Sequence, residues 1–94
     1  MNMYYVYIVE CADKTLYTGY TNNLEKRIKT HNEAKTGAKY TKARRPVVLK
    51  YSEKLPDLSQ ALKREIEIKN LTRKEKLKLI ELNQNSKHKI TNPK

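Results

Sequence analysis

Tyr4-Tyr5-Val6-Tyr7-Ile8-Val9-Glu10-Cys11 and Leu16-Tyr17-Thr18-Gly19-Tyr20-Thr21 are two runs rich in β-branched and aromatic residues, separated by Ala12 to Thr15. Such side chains fit a pleated, half-buried surface, so each run reads as a strand. The polar link carries Asp13 and Lys14 at its tip, and a link this short joins neighbours as an antiparallel hairpin. Side chains alternate faces along a strand. Tyr5, Tyr7 and Val9 therefore share one face of the first strand, and Tyr4, Val6 and Ile8 share the other. Both faces are mostly apolar, which predicts a central strand.

Downstream, three short acceptors each precede Glu or Gln by three positions: Asn22 and Glu25, Asp57 and Gln60, Thr72 and Glu75. These are capping-box patterns, in which a short side chain satisfies the first unpaired N–H groups of a helix. The spacing predicts helices over 23–34, 58–70 and 73–83. Between the first two, Lys35 to Arg45 holds Gly37 and five basic residues and reads as a loop. Pro46 closes it, and Val47 to Leu55 forms a third strand. The order is β-β-α-β-α-α, in one domain over 1–85. The basic tail over 86–94 has little to bury and is expected to be frayed or disordered.

The chain has 94 residues, with 21 Lys and Arg against 10 Asp and Glu, a formal charge of +11. Apolar residues make up 37%, and without Trp or Phe the seven Tyr carry all the aromatic bulk. A chain of this size buries roughly 60–70% of its unfolded surface, enough for one modest core. No run approaches the ~20 apolar residues of a membrane span, so no membrane association by a spanning helix is expected. Met1 to Tyr4 lacks the basic start of a signal peptide. Cys11 is the one cysteine, which excludes an internal disulfide and a cysteine metal cluster, and predicts a reducing cytoplasm with no disulfide-linked partner. So much positive charge points to phosphate, on nucleic acid or on an anionic membrane surface, although lysine-rich surfaces also serve solubility.

Projected at about 100° per residue, Leu58, Ala61, Leu62, Ile66 and Ile68 form an apolar arc with Glu65 near its middle, while Glu67 points to solvent. A carboxylate there costs several kcal/mol unless it is paired, protonated or bound to a cation. Lys69 offers an i, i+4 ion pair, and a metal ion is the other reading. On the first helix, Leu24 and Ile28 mark the apolar stripe, with Arg27 and His31 side by side just off one edge. Arg27 either snorkels over the core or grips phosphate through its planar fork. His31 is either structural or a proton acceptor near neutral pH. Tyr7 and Tyr17, on neighbouring strands, either fill core edges or converge their hydroxyls on one face. Gly19, on the face of Tyr17, allows a close approach.

In this order and spacing the residues resemble the GIY-YIG nuclease domain, over about Met3 to Leu82. Tyr5-Val6-Tyr7 stands for the first naming triplet and Tyr17-Thr18-Gly19 for the second. Thr21-Asn22-Asn23-Leu24 with Arg27 and His31 is similar to the helix bearing the family's key arginine, and Ala61-Leu62-Lys63-Arg64-Glu65 to the helix bearing its acidic residue. Lys39-Tyr40-Thr41 and Arg44-Arg45-Pro46 resemble the small stand-alone bacterial members. The resemblance implies an α+β fold, a three-stranded antiparallel sheet flanked by helices, and a metal-dependent phosphodiester hydrolase. Tyr7 and Tyr17 would line its site, one of them positioning or deprotonating the attacking water. Arg27 would hold the scissile phosphate and offset the charge that grows in the transition state. Glu65 would bind one divalent cation, Mg²⁺ or Mn²⁺. His31 falls where some members carry a catalytic helper. One departure stands out: Tyr5 replaces the first glycine of the family name, a structural position where a ring narrows the site.

Lys39, Lys42, Arg44 and Arg45, with Tyr40 among them, suit a phosphate backbone and an unstacked base. Arg73, Lys74, Lys76 and Lys78 on the last helix add charge, or form only a solvated face around Leu77, Ile80 and Leu82. The expected function is a Mg²⁺- or Mn²⁺-dependent DNA endonuclease acting on branched or damaged DNA in repair or recombination. The alternatives are a non-catalytic nucleic-acid-binding module of the same fold and an adaptor for a protein partner, which nothing beyond the last helix supports.

Overall fold

β1 (Tyr4–Glu10) is the middle strand of a three-stranded antiparallel sheet, between β2 (Leu16–Thr21) and β3 (Val48–Leu55), as its two apolar faces require. This architecture is that of a computed structural model, which describes the backbone of residues 3–33 and 44–91 and the side chains of residues 3–33 and 44–83. Three helices complete it: α1 (Leu24–Glu33), α2 (Leu58–Lys69) and α3 (Arg73–Thr91). The element order is β-β-α-β-α-α, an α+β fold.

The hairpin register sets Tyr7 opposite Gly19 and Val9 opposite Tyr17, which brings these four onto one face. Its turn is closed by the Cys11 N–H on the Thr15 carbonyl and by the Asp13 carboxylate, which accepts from the Thr15 N–H and hydroxyl. Lys14 turns the corner with φ 72°. Along β3, Ile8 opposes Tyr51 but Val9 opposes Leu49, so Lys50 is the extra residue of a bulge.

Each face of β1 has its own core. Val6 and Ile8 meet Tyr51, Ala61, Ile68 and Ile80 on the side covered by α2 and α3. Tyr7 and Val9 meet Cys11 and Val47, with Tyr17, Leu24 and Ile28 against them on the α1 side. Among the described residues no helix is long and apolar enough to cross a membrane.

The helix starts follow capping chemistry with one correction. α2 begins on Asp57, whose carboxylate accepts the Gln60 N–H at 2.9 Å, and α3 on a reciprocal Thr72–Glu75 box. At α1, however, Asn23 rather than Asn22 is the cap, accepting the Lys26 N–H at 3.0 Å. Starting one residue later lets Leu24 open the buried stripe. Two further readings change. α3 continues past the expected end at Asn83, with helical backbone to Thr91; no Gly or Pro interrupts the sequence before Pro93. On α2 the face toward the sheet follows Ala61, Glu65 and Ile68, whereas Leu58, Leu62 and Ile66 turn outward and Ile66 is 59% exposed.

That rotation is testable by urea unfolding. Ile68→Ala is expected to cost about 2–5 kcal/mol, as for a fully buried aliphatic side chain. Ile66→Ala should stay within about 0.5 kcal/mol.

Candidate active site

Tyr7 reaches from the central strand across β2, and its hydroxyl lands between two residues of α1. It lies 2.8 Å from Nε2 of His31, and the Arg27 Nε–H donates to it across 3.3 Å. Space for this exists because residue 19 is glycine: a Cβ there would sit 2.5 Å from the Tyr7 hydroxyl and 2.8 Å from Cζ. Gly19 is thus a steric requirement, the close approach that its place in the strand implied.

His31 is not at the edge of the α1 stripe but in its centre, fully buried at 0% exposure. Leu24, Ile28 and His31 follow one helix face at i, i+4 and i+7. The imidazole lies edge-on to two phenol rings, Tyr7 at 5.8 Å and Tyr17 at 5.5 Å between centroids. Burial, then the charges of Arg27 and Arg45, lower its pKa to about 4. The ring is therefore neutral at physiological pH. Burial also raises the Tyr7 phenol above its ordinary range, against the pull of Arg27. With Arg27 donating to the phenol oxygen, the phenol proton points to His31, which assigns Nε2 as the unprotonated nitrogen.

Around this buried pair lie three partly exposed groups. Tyr17 stands over His31, with its ring edge beside Gly19. Arg27 uses Nε on Tyr7, and its two terminal nitrogens have no partner among the described residues. Glu65 comes from α2 on the other side of the sheet, near enough that its charge acts on the Tyr7 hydroxyl, as does that of Arg27. Its side chain is only 12% exposed, and Oε2 meets Lys69 at 3.3 Å. The ion pair read from the i, i+4 spacing therefore forms. With Lys69 half in solvent, such a pair stabilises by about 0.3–0.5 kcal/mol, less than desolvating a carboxylate costs. Among the described residues, no three His, Cys, Asp or Glu side chains gather as a metal cage.

The remaining sequence candidates are placed differently. Arg44 pairs with Asp13 at 3.0 Å and fastens the hairpin turn. Arg45 lies against the end of α1, donating from Nε to the His31 carbonyl and from an Nη to the Thr30 carbonyl at 3.4 Å. Lys39, Tyr40 and Lys42 fall outside the described residues. One contributor had no sequence signal. Asn32 accepts the Val47 N–H at 2.7 Å and donates to the Val47 carbonyl at 3.1 Å, tying α1 to the start of β3. Nothing in its type or spacing separates it from a surface asparagine.

Comparison with known proteins agrees with this fold. The sequence model of the GIY-YIG catalytic domain matches residues 3–78. A UPF0213 protein of Syntrophus aciditrophicus is 59% identical over 83 residues, which is 88% of this chain and 95% of the relative. A UPF0213 protein of Staphylococcus haemolyticus is 60% identical over 81 residues, covering 86% and 98%. The solution NMR structure of a UPF0213 protein from Bacillus halodurans is 42% identical, with TM-score 0.56 and coverage of 85% and 84%. That of a protein from E. faecalis is 34% identical, with TM-score 0.59 and coverage of 89% and 90%. The chain belongs to the GIY-YIG family, a family of nuclease domains.

Two outcomes follow from the buried pair. The unfolded chain protonates His31 near 6.5 but the folded chain only near 4, so stability is full above that window and declines as pH falls through it. Urea unfolding should lose about 2 kcal/mol between pH 6.5 and about 5, and His31→Gln should flatten this slope. Gly19→Ala must displace the Tyr7 hydroxyl, at about 1–3 kcal/mol in the same assay.

Proposed function

We propose that the protein is a divalent-metal-dependent endonuclease hydrolysing phosphodiester bonds of DNA, with Arg27, Tyr17 and Glu65 facing the substrate around the buried Tyr7–His31 pair. The observation that carries this reading is the state of Arg27. Its Nε is anchored on Tyr7, yet its terminal nitrogens have no partner among the described residues, while Glu65 is engaged by Lys69 instead. An arginine kept for stability commits its fork to a carboxylate or carbonyl of its own fold. One kept for an anion is held as this one is, with its fork presented and its stem fixed.

The roles follow from burial and bonding. The Arg27 fork grips two phosphoryl oxygens and offsets the charge that grows as water attacks phosphorus. Tyr7, 1% exposed, positions Arg27 and passes its hydrogen bond on to neutral His31. Tyr17 is the phenol with access to solvent and presents its hydroxyl to the attacking water. Glu65 has one oxygen without a partner among the described residues, and a largely buried carboxylate oxygen suits Mg²⁺ or Mn²⁺, which take few protein ligands and complete their shell with water and phosphate. When bound, such an ion polarises the phosphoryl group. The charge of +11 supports a nucleic acid as the substrate. The Glu65–Lys69 pair favours a second reading, a non-catalytic nucleic-acid-binding module.

Incubation with labelled duplex, branched, flapped, damaged and single-stranded DNA separates the two. Cleavage of at least one substrate in Mg²⁺ or Mn²⁺ is expected, abolished by EDTA and by Glu65→Ala. Arg27→Ala should slow it by about 10²–10³-fold. Salt-sensitive binding without cutting, undiminished in Glu65→Ala, would establish the second reading.

A further inference from the structure

The carbonyls of Thr30 and His31 in the last described turn of α1 both accept from one side chain outside the helix, the guanidinium of Arg45. A cation there also complements the negative end of the helix dipole. One residue of the same turn, Asn32, clasps both backbone groups of Val47. The contacts close a circuit. β1 carries Tyr7 and pairs with β3; Val47 and Arg45 precede β3 and hold the end of α1; α1 carries His31, which returns to the Tyr7 hydroxyl.

We propose that Arg45 is a positioning residue of the nuclease site, which sets the His31 imidazole against the Tyr7 hydroxyl by holding the last turn of α1. The inference rests on the proposed hydrolase reading for its kinetic consequence only, since the placement of His31 is measurable without any reaction. It replaces the expectation that Arg45 grips the DNA backbone. A guanidinium spread over two main-chain carbonyls of its own fold has those N–H groups committed to the helix. The groups facing His31 are Tyr7 from β1, Tyr17 from β2 and Arg27 from α1, with Arg45 behind its carbonyl. Removing Arg45 withdraws a positive charge from the imidazole and loosens its packing. Both changes ease its protonation.

The chain has two histidines, so imidazole titration by NMR gives two curves, and His31→Gln identifies the one that matters. In Arg45→Ala the His31 midpoint is expected to rise by roughly half a unit or more. Arg45→Lys keeps the charge but not the fork, and should recover only part of the difference. For DNA cleavage, Arg45→Ala should lower kcat and leave KM and the salt dependence of binding unchanged. The opposite pattern overturns the proposal: an unmoved His31 midpoint, with KM raised and the salt slope reduced by about 0.9, the mark of one lost phosphate contact. If Arg45→Ala fails to fold, Arg45→Lys decides alone, because a full return of the midpoint and rate to wild type would leave charge, not positioning, as the whole effect. A parent protein that cuts no DNA would fail the hydrolase reading, while the titration still tests the positioning.

Discussion

The Tyr7 hydroxyl is the point on which the site depends. It accepts from a cation and donates to a neutral ring, and it can do both because Gly19 has no side chain to contest the space. Each partner constrains another. His31 must be neutral to accept, and burial keeps it so. Arg27 must be near to donate, and its charge in turn helps to hold His31 neutral. The hydrogen bond, the histidine and the arginine are one electrostatic arrangement rather than three independent choices.

A net charge of +11 is a blunt quantity, and the structure divides it by task. Arg44 holds the hairpin turn through Asp13, and Arg64 links α2 to β3 through Glu53 at 2.8 Å, where the Tyr51 hydroxyl donates to the same carboxylate. Arg45 closes the end of α1. Arg27 is fixed at Nε on Tyr7, and its fork has no partner among the described residues. Surplus charge far from the site remains for steering a polyanion, which acts at a distance and does not need fixed geometry.

The sheet and its order were legible because they depend on pattern. Two apolar faces on Tyr4–Glu10 require a central strand with cover on both sides, and capping residues announce helix starts locally. Position within a period was less legible. An angular projection of α2 centred the buried arc among five apolar residues, but the sheet meets the line through Ala61, Glu65 and Ile68. Small Ala61 lets the backbone come close, and that closeness, not the count of apolar groups, selects the face. Similarly, His31 reads as an edge residue by type and is central by geometry. Asn32 carried no readable signal, and Arg45 none for the contacts it makes, since both act on main-chain atoms of segments distant in sequence.

One consequence lies in how α1 is attached. α2 and α3 are seated on a broad apolar core, whereas α1 gives the interior little beyond Leu24, Ile28 and His31. Its remaining ties are polar: a phenol, an asparagine and a guanidinium. Regions held by few apolar contacts open locally at a fraction of the global unfolding free energy. The element that carries the arginine and histidine of the site is thus the natural breathing segment of the fold. Its excursions briefly expose Tyr7 and His31 to solvent without melting the sheet beneath, so amide protons of α1 would exchange well before those of β1.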